Sequence, residues 1–236
     1  MVLPLYLAMN ASEINTLPTP ERCAWMACHF SPWGCGISNL PDTLPPASML
    51  ILNDRLPCQG HSPGLIADQI LEAVSRMKCE SLLLDLQRPD NPETAAVVSA
   101  LLDTLPCSVA VSECYAAGRD CPVFLPPAPL HIPAEEYLAP WQNQTIWMEA
   151  GLCQERITVT EAGTAFSPQF PLDIPEGGFW DEGLHCQYHT AARESEITFT
   201  LFDTPESLPG KLEQLHCLGV SRFVGLFQEL GTFLTG

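Results

Sequence analysis

Short apolar runs, most of them followed within a few residues by a polar or acidic side chain, recur along the chain. They are Leu3–Met9, Ala24–Phe30, Met49–Asn53, Leu82–Leu86, Val109–Ser112, Val123–Leu125, Ile197–Phe202 and Phe223–Phe227. Near-continuous runs of this kind mark strands buried on both faces, as in a parallel sheet. Between some of them the period changes to that of a helix. Ser62–Pro63 is a helix start, because proline in the first turn loses no intrahelical bond. Ile66, Ile70, Val74 and Met77 then follow at helical spacing. Asn91–Pro92 repeats the signal before Ala95, Val98, Leu101 and Leu102. Leu208, Leu212, Leu215 and Leu218 form a third stripe, stopped by Gly219.

Strand–helix–strand units take right-handed crossovers. Eight strands with helices between them predict an α/β fold, a (β/α)8 TIM-like barrel. Several connections are too short or too rich in proline to hold a helix, so several outer helices should be missing. Residues 145–192 break the rhythm. Ile146–Met148, Ile157–Thr160 and Gln187–Thr190 are joined by Gly- and Pro-rich stretches, and their alternation predicts antiparallel strands with one wet face. The expectation is one domain over 1–236, with 145–192 as a β-rich insertion between barrel strands six and seven. An open doubly wound sheet is the alternative, but no Gly-rich phosphate loop follows any strand.

Composition narrows the function classes. Of 236 residues 46% are apolar and 16% charged, which argues for a packed core and against disorder. Ten Lys and Arg against 28 Asp and Glu give a net charge of −18. Such a chain repels phosphate backbones and anionic bilayers, so neither nucleic acid nor membrane is an expected partner. No apolar run reaches the roughly 20 residues that span a bilayer. Met1–Asn10 lacks a basic stretch and a small-residue cleavage site and reads as a strand, which predicts a cytoplasmic protein. The 11 cysteines are then reduced thiols, and their odd number speaks against a complete disulfide framework.

Barrels of this type carry their sites at the C-terminal ends of the strands. The residues there are Asn10, Ser31, Asp54–Arg55, Asp85 with Gln87–Arg88, Glu113, Pro126–Pro127, Asp203 and Glu229, and Glu149 adds a further acid. Their convergence predicts a carboxylate-lined pocket. Two carboxyls flanking a bond provide the acid and the base or nucleophile of a glycosidase, and Asp85 and Glu113 are the candidate catalytic pair. Asp54, Arg55, Gln87, Arg88, Tyr115, Asp203 and Glu229 are candidate substrate-binding residues. Trp25, Trp33, Trp141, Trp147, Trp180 and Tyr188 are further stacking faces for sugar rings, although single aromatics more often pack cores. Cys23, Cys28, His29 and Cys35, Cys58 with His61, and Cys186 with His189 lack the paired spacing of a zinc site. No metal and no cofactor is therefore expected. Asp54, Asp85, Glu113 and Asp203 could still suit Mg²⁺ or Mn²⁺, which keeps a metal-dependent hydrolase as an alternative.

Two stretches resemble the chitinase-like glycoside hydrolases of family 18. Glu80-Ser-Leu-Leu-Leu-Asp-Leu-Gln87 is similar to the D-G-x-D-x-D-x-E strand of that family. Asp85 matches the last aspartate, which the resemblance implies orients an N-acetyl group. Gln87 stands at the catalytic glutamate, Leu83 at the preceding aspartate and Ser81 at the glycine. Asp203 through Lys211 to Gly219, with Phe223–Gly231, is similar to the last βα unit, Phe227 standing at a tryptophan. The resemblance implies a degenerate barrel that hydrolyses or binds an oligosaccharide. Gln87 cannot protonate a leaving oxygen, because an amide is no acid at accessible pH. The other expectation is a non-catalytic interaction barrel that associates with a partner or with itself through the insertion.

Overall fold

The structure, a computed structural model, describes residues 3–14, 22–32, 34, 36–167 and 177–234. Trp33 and Cys35, named above as a stacking and a metal-ligand candidate, lie outside these residues. The strands are β1 (Leu5–Met9), β2 (Cys23–Phe30), β3 (Ile37–Ser38), β4 (Met49–Asn53), β5 (Ser81–Asp85), β6 (Ser108–Ser112), β7 (Val123–Leu125) and β8 (Ile146–Ala150), then β9 (Gln154–Thr160), β10 (Gly163–Ser167), β11 (Phe179–Asp181), β12 (Cys186–Arg193), β13 (Glu196–Phe202) and β14 (Val220–Leu226). The helices are α1 (Ala11–Ile14), α2 (Pro63–Met77), α3 (Pro92–Thr104), α4 (Glu113–Ala116), α5 (Ala134–Leu138), α6 (Leu208–Cys217) and α7 (Phe227–Leu234).

Eight parallel strands close a barrel in the order β1-β2-β4-β5-β6-β7-β8-β14, with β14 pairing back to β1. This is the expected TIM-like fold. Only α2, α3, α6 and α7 exceed five residues among the described elements, so the outer ring is thin. No helix among the described residues is long and apolar enough to cross a membrane.

The insertion sits one strand later than the sequence suggested. Ile146–Ala150 pairs with both β7 and β14 and is the seventh barrel strand. Ile197–Phe202, read as a barrel strand, lies in a separate antiparallel sheet ordered β10-β9-β13-β12-β11. The extra sheet therefore falls between barrel strands seven and eight. The two runs have similar apolar content, and only pairing distinguishes them.

Local signals placed the long helices well. Asn91 caps α3 by accepting from the Glu93 and Thr94 amides at 3.0 and 3.2 Å. Ser62 precedes α2 without such a bond, and Pro63 alone supplies the start. Ile66, Ile70, Val74 and Met77 are buried against the barrel.

Strand alternation divides the core in two. One set, including Leu50, Leu52, Leu82 and Leu84, packs outward under the helices. The other fills the lumen: Tyr6, Ala8, Ala24, Met49, Ile51, Leu83, Ala110, Phe124, Trp147 and Val224. The N-terminal end of the lumen is plugged by Arg222, whose guanidinium lies 4.6 Å from the Trp147 ring and 3.1 Å from Glu80. The Tyr6 hydroxyl also donates to Glu80.

Cys28, Cys58, Cys79 and Cys186 are buried, and burial lifts their thiols to about 12, 11, 11 and 12. In the unfolded chain such thiols ionise near ~8.5. Between these values the unfolded state has lost protons that the folded state keeps, so stability falls as pH rises. Urea denaturation under reducing conditions should show a decline above about pH 8.5, of at most about 1.4 kcal/mol per thiol per pH unit. Cys186→Ala should make that slope shallower; an equal slope would show that the thiol carries no such linkage.

Candidate active site

The C-terminal mouth of the barrel holds a cavity of about 610 Å³. Its floor is the top of the lumen core: Ala8, Met26, Ile51, Leu83, Phe124 and Val224. The next inward position on several strands is polar, because every second residue of a strand faces the same side. Thus Ile51 is followed by Asn53 and Leu83 by Asp85, while Trp147 is followed by Glu149. Gln87 extends the β5 alternation one step past the strand.

Asp85 and Gln87 form the centre of the site. The Gln87 side-chain amide donates to the Asp85 carboxylate at 2.6 Å. Burial raises the Asp85 pKa; the Gln87 bond draws it down and the Asp54 charge pushes it up again. Asp54 also lines the cavity, but its carboxylate is committed to the backbone. It accepts from the Gln87 amide at 3.0 Å and the Arg88 amide at 2.8 Å, and it is buried. Asp54 therefore fixes the turn that carries Gln87. Arg55 and Arg88 line the same cavity, and the Arg88 guanidinium donates to the Arg55 carbonyl at 3.1 Å.

Other sequence candidates lie elsewhere. Glu113 opens α4 and faces a side chamber of about 160 Å³, not the main cavity. Tyr115 is buried, and its hydroxyl donates to the Arg88 carbonyl at 2.5 Å, so it braces the turn from behind. Asp203 directly follows β13 of the extra sheet instead of a barrel strand. It is buried, accepting from Lys211 Nζ at 2.8 Å and the Cys153 amide at 3.1 Å. Burial lifts its carboxyl, against the pull of Lys211. Glu229 accepts from the Leu152 amide and sits beside Gly151, tying α7 to the chain leaving β8. None of Tyr115, Asp203 and Glu229 lines the main cavity.

The stacking aromatics are dispersed. Trp25 and Trp147 are buried, Trp180 is exposed on the extra sheet, and Phe124 is the aromatic wall of the cavity. Cys114 donates to the Leu86 carbonyl at 3.2 Å, and burial raises its thiol, which disfavours the nucleophilic thiolate. Among the described residues no three His, Cys, Asp or Glu side chains converge as metal ligands.

The structure adds Asn39 and Asn53, and it places in the cavity wall His29, named above only as a metal-ligand candidate. His29 Nδ1 lies 2.8 Å from the Phe30 carbonyl and so carries the proton there, which leaves Nε2 to accept from Asn39 Nδ2 at 3.2 Å. A bulge in β2 between Trp25 and Cys28 puts His29 opposite Asn53. Simple alternation could not place His29 after such a shift. Asn53 was readable, two residues after the inward Ile51. On the opposite wall Gly225 is required: a Cβ there would run into Leu230 and come within 2.7 Å of the Ala150 carbonyl oxygen.

No protein-family profile matches the chain, and no curated protein matches it by sequence. Solved structures do match in fold. A spore cortex-lytic enzyme of Bacillus cereus aligns at a TM-score of 0.54 and 11% identity, over 94% of this chain and 70% of its own. A family 18 N-acetylglucosaminidase from Paenibacillus barengoltzii aligns at 0.53 and 10%, over 99% of both chains. A chitinase from Chromobacterium violaceum aligns at 0.50 and 8%, over 100% of both. At these identities the likeness is one of fold: the chain has the barrel architecture of chitinase-like enzymes.

Asp54→Ala should release the turn carrying Gln87. Two backbone donors lose a charged acceptor, at about 1.5–3 kcal/mol for a charged hydrogen bond. Amide hydrogen exchange at Gln87 and Arg88 should quicken by more than at Leu82 or Leu84. Uniform exchange across β5 and the turn would contradict the role given to Asp54.

Proposed function

We propose that the strand-end cavity binds an oligosaccharide, and that any hydrolysis there proceeds without a proton donor at position 87. The observation that carries this reading is the Asp85–Gln87 pair, bonded at 2.6 Å above an apolar floor. Sugar rings present C–H faces and hydroxyl edges together. The cavity offers an apolar base of Met26, Ile51, Leu83 and Phe124 beneath a rim of amides, carboxylates and guanidinium groups. Concave sites with a few convergent polar groups are the usual form of small-ligand sites. The fold likeness to a chitinase and an N-acetylglucosaminidase supports the same class of ligand.

Asp85 has the role of orienting the ligand, with Arg55, Arg88 and Asn53 on the rim. Gln87 holds the Asp85 carboxylate but has no proton to give, so chitinase-type chemistry at that position is lost.

A second reading is favoured by the extra sheet, where Phe179, Phe166, Ile197 and Trp180 are 65, 53, 45 and 42% exposed. Such a surface suits a protein partner or a second copy of the chain. It concerns a different face and is compatible with the first.

Titration calorimetry with N-acetyl-chitotetraose and with cellotetraose tests the first reading. One of the two should bind, and Asp85→Ala should weaken it at least about tenfold, roughly 1.4 kcal/mol. The exposed Glu206 is a control whose change to Gln should leave affinity unaltered. If neither sugar binds, or Asp85→Ala binds as tightly as the parent, the reading is wrong.

A further inference from the structure

We infer that Glu149, on the seventh barrel strand, is the proton donor of this site, acting on a glycosidic oxygen at the junction of two chambers. The inference rests on the carbohydrate reading and adds the reacting group that position 87 lacks.

The main cavity and the side chamber adjoin at a shared wall. Gln87, Phe124 and Glu149 line both. A ligand longer than one ring has room on either side of these three residues, about 610 Å³ on one and about 160 Å³ on the other. The bond between two units would then lie over them. Of the three, only Glu149 can give up a proton.

The other carboxyls near the mouth have different tasks. Asp54 holds two backbone amides, Asp85 accepts from Gln87, and Glu229 accepts from the Leu152 amide. Glu113 faces only the side chamber. Among the described residues Glu149 has no hydrogen-bond donor from the protein, so its oxygens are left for a ligand. Its tip is open to the cavity, but the surrounding walls strip much of its hydration. That loss raises its pKa, and the charges of Asp85 and Glu229 raise it further. A carboxyl shifted in this direction holds its proton closer to neutrality, as a general acid must.

The step is balanced by water. The C1–O bond breaks with its electron pair passing to the departing oxygen, which takes the Glu149 proton and leaves as a hydroxyl. Water then bonds to C1, and its proton returns to the Glu149 carboxylate. Asp85, two positions before Gln87, orients the ring during both events.

The experiment uses the full chain and whichever of N-acetyl-chitotetraose and cellotetraose binds it. The parent should hydrolyse that sugar. Glu149→Gln should bind with unchanged affinity and lose about 100-fold or more in kcat, the usual contribution of a general acid. Added formate should restore part of the turnover to Glu149→Ala, a rescue that a merely structural role would not give. Should Glu149→Gln fail to fold, Glu149→Asp keeps the carboxyl and should retain binding with reduced kcat. Binding without hydrolysis by the parent, or full turnover by Glu149→Gln, overturns the assignment of Glu149 while leaving the pocket reading intact. An absence of binding by the parent overturns the pocket reading itself.

Discussion

Closure of the parallel sheet is the constraint on which the rest depends. Because β1 pairs with β14 on one side and β2 on the other, each barrel strand has one face to the lumen and one to the outer layer. A single-residue slip in any strand would exchange those faces. The register therefore fixes more than packing. Leu83 in the lumen commits Asp85 to the mouth, and Trp147 commits Glu149 in the same way. The polar site is a continuation of the apolar core by one more inward step. Arg222, stacked on Trp147 and paired with Glu80, caps the opposite end of the lumen.

The same constraint explains what the sequence revealed. Apolar runs located seven of the eight barrel strands, because burial on both faces leaves a pattern in any one strand. Asp85, Gln87, Asp54, Arg55 and Arg88 were legible because they end or directly follow two adjacent strands, β4 and β5, paired without a bulge. Asp203 was misplaced by a different cause. Ile197–Phe202 is apolar enough for a barrel strand, yet it pairs with β9 and β12 in the extra sheet. Long-range pairing has no local signature, so Ile146–Ala150 and Ile197–Phe202 could exchange roles on the page. The bulge in β2 hid the place of His29 in the cavity wall.

Buried acids divide according to what compensates them. Asp54 is held by two amides and Asp203 by a lysine and an amide. These are the structural fates expected of most carboxyls at strand ends. A buried pair such as Asp203–Lys211 recovers its desolvation cost only when both partners remain. It joins the chain leaving the last strand of the extra sheet to α6, where the insertion returns to the barrel. The carboxyls with functional potential are those the protein leaves less satisfied. Asp85 has only an amide partner, and Glu149 has none among the described residues.

Gln87 gives this division its chemical meaning. Replacing a carboxyl by an amide preserves shape and a hydrogen bond to Asp85 while removing the transferable proton. A site that had lost all purpose would have little reason to keep the neighbouring carboxylate bonded, the turn behind it anchored by Asp54 and Tyr115, and the cavity open. In the proposed reading that geometry serves as a platform that orients a ligand. Whether a bond is then broken depends on the wall opposite, three barrel strands away from β5, where the only ionisable residue shared by the two chambers stands. The proposed binding and proton-donating groups stand on different strands, β5 and β8, so a change in one need not abolish the other. That separation follows from barrel construction, in which each strand end can be altered without disturbing the ring that supports it.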